Sequence, residues 1–392
     1  MVENKKDFNL LTINLCPRFE AMRIGFEAKR LFLNDRGLGN YARNLLYGLV
    51  KHAPEYDYHL FTPNHSDKYI NPEFINKDTL SIHTPTSLLG AISKSAWRSL
   101  RMGKDIKRNK IDVFHGLAQE LPKDIKKSGA KSIVTIHDLI FLKHPEFYTP
   151  IDRKIYFSKA KFAVHNADHI IAISEQTKSD IINTFGVPEN KISVIYQSCN
   201  EVFYEKRTQT ELEQVKTKWN LPKDYILYVG ALNENKNVKV ILEALNLLKG
   251  KFDLSLVIVG KGGAYKKVLI EYATKHNLLS QVRFASEVAN PTPLELSSFY
   301  QMASVFIFPS FYEGFGIPIL EARFSGTPVI ASNSSCLEEA GGEHSLYFNP
   351  KSAEELTELI NQSHSEKSKK ENNIHLFKIK NGIKKFIRVY EQ

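Results

Sequence analysis

Two glutamates eight residues apart, Glu313 and Glu321, flank a turn, Gly314-Phe315-Gly316, that runs straight into Ile317-Pro318-Ile319-Leu320. Such a set can bind an anion beside hydroxyl groups. The glycines let backbone N–H groups approach a ligand closely, and the dipole of a helix opening at Pro318 favours negative charge by about 0.3–1 kcal/mol. A carboxylate repels phosphate, so both glutamates need donors to face, and sugar hydroxyls supply them. The same pattern also fits a solvated loop carboxylate at Glu313 and a dipole-complementing one in the first helical turn at Glu321. A third residue, Lys236, lies in the polar loop Asn233-Glu234-Asn235-Lys236-Asn237. It suits phosphate as a point charge, or simple solvation.

Strands and helices must hold these groups. The apolar run 305–308, stopped by Pro309-Ser310, reads as a buried strand. Ile319, Leu320, Ala322 and Phe324 then continue a helix to Gly326 and Pro328, and 329–330 opens another strand. Lys236 follows a strand over 225–229. The first half alternates in the same way, with strands at 24–26, 58–61, 113–115, 132–136, 169–173 and 191–195 and helical stretches between. This alternation predicts parallel sheets covered on both faces, with ligands at the carboxyl ends of the strands.

The 392 residues suffice for two domains, and the formal charge of +10 implies an anionic partner such as a nucleotide, an acidic glycan, an anionic lipid surface or a nucleic acid. Cys16, Cys199 and Cys336 are far apart without a Cys-x-x-Cys, which indicates neither a disulfide framework nor a zinc site and suits a reducing cytoplasm. No apolar run reaches the roughly 18–20 residues of a bilayer span, and the N-terminus has no cleavage pattern.

The run Glu313 to Ala322, with Pro309-Ser310 before it and Gly326-Thr327-Pro328-Val329 after it, resembles the Glu-x7-Glu motif of retaining group 1 glycosyltransferases. That family includes many bacterial cell-surface mannosyltransferases. The resemblance implies an α/β GT-B fold, two Rossmann-like domains facing a central cleft. It places an extension over 1–21, expected to be disordered, an acceptor-side domain over 22–200, a nucleotide-sugar domain over 201–375, and a last helix over 376–392 that crosses back to the first domain.

On the same resemblance Glu313 faces the donor hexose, Glu321 holds the ribose, Lys236 meets the diphosphate, and Gly314, Phe315 and Gly316 complete the donor site. Val134-Thr135-Ile136-His137-Asp138-Leu139, followed by Pro145-Glu146-Phe147-Tyr148, resembles the family segment whose histidine lies against the sugar. His137 is therefore the second catalytic candidate beside Glu313, and His115 is a weaker one. Gly37 and Gly39, after the first strand, match the loop beside the diphosphate and the acceptor. The segment 282–288 falls where the family cups the base.

The implied reaction moves a hexose, with mannose from GDP-mannose as the first choice, onto a glycan or lipid-linked oligosaccharide for surface polysaccharide such as lipopolysaccharide. It proceeds with retention, at the cytoplasmic side of the membrane. The chain has no Asp-x-Asp, so neither a metal nor another cofactor is expected, and nucleic acid explains the charge but not the glycine loops. Many members carry an Arg after the strand's Gly or before the Lys. Here Ala231 and Asn235 stand there, and Lys261 in Gly260-Lys261-Gly262-Gly263 is the candidate replacement. Gln197-Ser198-Cys199-Asn200 replaces a Gly-Val-Asp type sequence at the domain boundary.

Between residues 88 and 110, Leu89, Ile92, Ala96 and Leu100 recur at helical spacing, with Lys94, Arg98, Arg101, Lys104 and Arg108 opposite. The stripe reads either as a solvated helix or as peripheral contact with an anionic membrane. Two rivals to the transferase remain open, a GT-B nucleotide-sugar epimerase and a non-catalytic nucleotide-sugar-binding partner protein.

Overall fold

The computed structural model describes the chain except residues 1–20, 35–36, 71–73, 75–78, 86–92, 252–253, 288 and 366–373. The expected disorder of the N-terminal extension lies outside the described residues, save residue 21.

Runs such as Ser132-Ile133-Val134-Thr135-Ile136 are apolar or small on both faces, so they must be central strands of sheets covered on both sides. The first sheet contains β1 (Arg23–Glu27), β2 (Asp57–Phe61), β3 (Leu80–His83), β4 (Val113–Gly116), β5 (Lys131–Ile136), β6 (His169–Ala172) and β7 (Ile192–Val194), in the order β3-β2-β1-β4-β5-β6-β7. The second contains β8 (Tyr225–Val229), β9 (Ser255–Val259), β10 (Val282–Phe284), β11 (Val305–Phe308), β12 (Val329–Ser332) and β13 (Leu346–Phe348), in the order β10-β9-β8-β11-β12-β13. Every pairing is parallel. Strand order reverses between β1 and β4 in one sheet and between β8 and β11 in the other. Crevices for ligands open at such points, at the carboxyl ends of the strands.

Each sheet has two apolar layers. Cys199 and Phe203 already belong to a core of the second sheet, so the chain changes domain just after β7. The last helix, Ile379–Glu391, returns to the first domain. Its Ile383, Phe386, Val389 and Tyr390 recur at helical spacing and are buried in the same core as Leu45, Leu46 and Leu49 of the helix Gly37–His52. The Tyr390 hydroxyl meets His115 Nδ1 at 2.8 Å, and Lys131 Nζ donates to the Val389 carbonyl at 2.6 Å. His115, whose Nε2 lies 2.8 Å from Thr135 Oγ1, is thus a buried structural histidine. Phe386→Ala is expected to cost about 3–5 kcal/mol, the usual range for a buried phenylalanine, measured as a lower urea midpoint.

The basic stretch departs from the single amphipathic helix expected of it. Two short helices, Lys94–Leu100 and Met102–Arg108, break at Arg101, and the buried side chains are Trp97, Met102 and Ile106 while Leu100 is 55% exposed. Arg98 does not lie on an outer basic face. It is 11% exposed and paired with Glu27, at 3.5 Å, and with Glu120. Burying two aromatic or aliphatic faces at a bend won over a continuous stripe. Leu89 and Ile92 lie outside the described residues. Among the described residues, no helix is long and apolar enough to cross a membrane.

Candidate active site

The β11 strand ends at Phe308, and the next eight residues form the loop that carries Glu313. Gly316 ends this loop with φ 109°, a left-handed conformation that side chains other than glycine's rarely adopt, and caps the helix Ile317–Ser325. Phe315 is buried and stacks on Tyr196 at 5.6 Å, which anchors the loop to the crossover between the domains. The Glu313 amide donates to Ser335 Oγ at 3.1 Å.

Lys236 sits opposite, in a short turn after β8 whose cap, Asn233 Oδ1, accepts the Lys236 amide at 3.2 Å. The Lys236 ammonium pairs with Glu313 Oε1, and it lies 5.7 Å from the ring centre of Phe308. Both partners are mostly buried, with side chains 20% and 15% exposed. Asn235, in one of the positions where a second cation was sought, points inward. Its Nδ2 donates to the Tyr312 carbonyl at 2.9 Å, and its backbone carbonyl accepts the Phe311 amide at 2.9 Å. Asn235 therefore ties the lysine turn to the glutamate loop.

Glu321 lies in the second turn of its helix, not the first, so it cannot serve mainly to complement the dipole. Tyr300 donates to Glu321 Oε2 at 2.9 Å. Burial pushes the carboxyl up to about 7, against the opposing effect of that hydroxyl. From the ordinary value of 4.5 up to about 7, the native state holds a proton that the unfolded chain has lost. Stability therefore falls as pH rises through this window, by at most about 1.4 kcal/mol per pH unit. Glu321→Gln is expected to remove that slope, read from urea midpoints at pH 5 and 8 compared with the wild type.

Glu321 faces an interdomain cleft of about 490 Å³, also lined by Arg43 and Tyr69 of the first domain and by Lys261, Pro293 and Leu296 of the second. Lys261 thus shares a wall with Glu321. β10, which opens the segment 282–288, is the outer strand, and Arg283 donates to the Asn220 carbonyl. Asn290 and Pro291, just beyond that segment, line the cleft.

His137 follows β5, 4% exposed. A carbonyl can only accept, so Nε2 carries the proton toward the Leu117 carbonyl at 2.8 Å, and Nδ1 receives Gln197 Nε2 at 3.1 Å. Tyr41 packs edge-on at 4.7 Å. Burial lowers the ring's pKa to about 4. This imidazole is neutral and engaged at both nitrogens, which fixes the ring's orientation in the cleft. Gln197 is the partner that sequence reading missed, although the unusual Gln197-Ser198-Cys199-Asn200 was its visible trace.

Gly37 and Gly39 lie within the first turn of the helix Gly37–His52, not in a loop before it. A Cβ on Gly39 would sit 1.9 Å from the Asn34 carbonyl oxygen, so close backbone packing accounts for that glycine. A Cβ on Gly37 would meet open space.

The two domains touch here. A Cβ on Gly314 would lie 2.1 Å from the His137 carbonyl oxygen. The Tyr312 hydroxyl donates to Asp180, and Glu339 accepts the amides of Glu175 and Gln176 at 2.8 and 3.0 Å, capping the helix Glu175–Phe185 from across the cleft. Glu313, Lys236, Gly314 and His137 are therefore gathered in one place, with Glu321 around the helix start. Among the described residues, no group of three or more His, Cys, Asp or Glu side chains could hold a metal ion.

Residues 209–376 match the family described as Glycosyl transferases group 1, and residues 36–200 match Glycosyltransferase Family 4. The chain is a glycosyltransferase whose second domain is of group 1. It is 28% identical over 356 residues to the O-antigen chain mannosyltransferase B of Escherichia coli, covering 87% of this chain and 90% of that one. A glycosyltransferase from Rickettsia africae superposes with a TM-score of 0.74 at 18% identity over 95% of this chain and 98% of that one. Anabaena HepE, solved with UDP and glucose, gives 0.74 at 15% identity over 94% and 99%. The fold of this glycosyltransferase is thus GT-B, with a cleft between its two parallel-sheet domains.

Proposed function

We propose that this glycosyltransferase moves a hexose, mannose from GDP-mannose in the first instance, onto a glycan or lipid-linked oligosaccharide of a surface polysaccharide, with retention and without a metal. The observation that carries the reading is the Lys236–Glu313 pair at a helix N-terminus, facing the first domain across a contact at Gly314. The donor diphosphate takes over Lys236, which releases Glu313 to the hexose. The ribose hydroxyls go to Glu321. The electron pair of the breaking bond leaves with the diphosphate, whose charge is met by the lysine and by the N–H groups that open the helix Ile317–Ser325. The relative named above as an O-antigen chain mannosyltransferase supports mannose and polysaccharide synthesis.

The test is GDP release from GDP-mannose in EDTA, with and without a polyprenyl-diphosphate oligosaccharide, and with the product anomer read by NMR. Acceptor-dependent release and an α-linked product are expected. Release of free altered sugar without acceptor would instead identify an epimerase. Binding without turnover would identify a partner protein, the reading that Ala231 and Asn235 favour.

A further inference from the structure

We propose that Lys29 and Arg30, backed by Arg98, form an anion subsite in the first domain that takes an acidic group of the acceptor, a phosphate or a carboxylate, an assignment that rests on the transfer reaction above. Lys29 and Arg30 follow β1, at the carboxyl end of the strand. Glu120 follows β4, the neighbour of β1 on the side where the strand order of this sheet reverses. Sheets of this kind take their ligands at that point. The loop that carries Glu120 also supplies the Leu117 carbonyl that holds His137 Nε2 at 2.8 Å, so the cluster and the cleft histidine share a support.

The charges gathered there do not balance. Arg98 Nη1 lies 3.5 Å from Glu27 Oε1, and its Nη2 donates to Glu120, which also accepts Lys159 Nζ at 3.0 Å. Two carboxylates thus face two cations before Lys29 and Arg30 are counted. Glu27 is 3% exposed, and burial raises its pKa against the opposing charge of Arg98, which weakens it as a counter-charge. Lys29 and Arg30 are partly buried, and among the described residues neither side chain makes a hydrogen bond or an ion pair. Burial lowers the Lys29 pKa, and the guanidiniums of Arg98 and then Arg30 lower it further, against Glu27 and Glu120. Like charges held together away from water repel, and an anionic ligand relieves that repulsion. Arg30 also reaches toward the cleft. Burial is the main cause of the low His137 pKa, and the charge of Arg30 adds to it.

Every member of the cluster belongs to the first domain, whereas the donor diphosphate is assigned above to Lys236 and the helix Ile317–Ser325 of the second. The anion left to these cations is therefore on the acceptor. A guanidinium offers a planar fork for two oxygens and an ammonium a point charge beside it, a set that suits phosphate and carboxylate alike. Such a group has two sources, the diphosphate of a lipid-linked oligosaccharide and an acidic sugar near its growing end.

The test compares one oligosaccharide in three forms: carried on octyl diphosphate, carried on octyl with an added uronate, and carried on octyl without charge. The wild type is expected to use one of the charged forms about tenfold better in kcat/KM than the uncharged form, mainly through acceptor KM, and the preferred form names the source. The double substitution Lys29→Gln and Arg30→Gln should bring that preference to within threefold while calorimetric affinity for the donor stays unchanged, and Arg30→Lys should keep part of it. Each single substitution is read in the same way should the double variant fold poorly. Equal use of the three forms by the wild type, a preference that survives both substitutions, or a loss of donor affinity on making them would each overturn the subsite. Donor binding without product from any of the three forms would overturn the transfer reading, and the subsite with it.

Discussion

Gly314→Ala is expected to lower kcat about 100-fold while both domains stay folded. The added Cβ would stand 2.1 Å from the His137 carbonyl oxygen and 3.2 Å from Ile173 Cδ1, and the first of these neighbours is backbone on another domain. Gly314 has no left-handed backbone angle to protect, so the obstacle is space alone. The cheapest relief is to part the domains, since neither sheet has to deform. Parting them by about 1 Å separates the donor groups from the acceptor side, a misplacement that typically costs 10²-fold. It would also lengthen the bonds from Glu339 to the Glu175 and Gln176 amides. Steady-state rates together with small-angle scattering test this. A slower enzyme with an enlarged radius of gyration is expected, and activity within threefold of the wild type would show that the contact is not needed for turnover.

Lys236→Ala is the second large effect. Neither Ala231 nor Asn235 brings a cation, and Asn235 is committed to the Tyr312 carbonyl, so in the proposed reaction the charge that meets the diphosphate at this loop rests on Lys236. Loss of one preorganised donor to a developing anion costs roughly 10²–10³ in rate. The substitution also strands Glu313, whose side chain is only 15% exposed, without its partner. Both kcat and donor affinity should therefore fall, with Lys236→Arg recovering part of the loss. Unchanged kcat/KM would mean that the diphosphate is neutralised elsewhere, and Lys261 on the cleft wall would be the residue to examine.

The elements were legible because their signals are local. Apolar runs ending at Pro309-Ser310 or Gly230 mark strand ends, and Gly326-Thr327-Pro328 marks the end of a helix. The Glu313–Glu321 loop was legible for the same reason, since turn, cap and carboxylates are contiguous. What the sequence could not disclose depends on distant partners. Arg98 counts as a surface charge until Glu27 and Glu120 come beside it. The partners that hold the His137 ring, the Leu117 carbonyl and Gln197, come from distant parts of the chain and no local pattern announces them. Asn235 reads as a missing cation, while in the fold it links two loops. Glu321 gains its high pKa from burial that no spacing announces.

The most direct test is calorimetric titration of the wild type and Glu321→Ala with GDP-, UDP-, ADP- and dTDP-sugars in EDTA near neutral pH. One nucleotide class should bind without metal. Its ribose hydroxyls favour the carboxylate, so binding should release a proton from Glu321, seen as heat that depends on the buffer, and Glu321→Ala should abolish that release and weaken binding at least tenfold. Failure of every nucleotide sugar to bind, or equal binding by Glu321→Ala, would contradict the donor site described for this cleft.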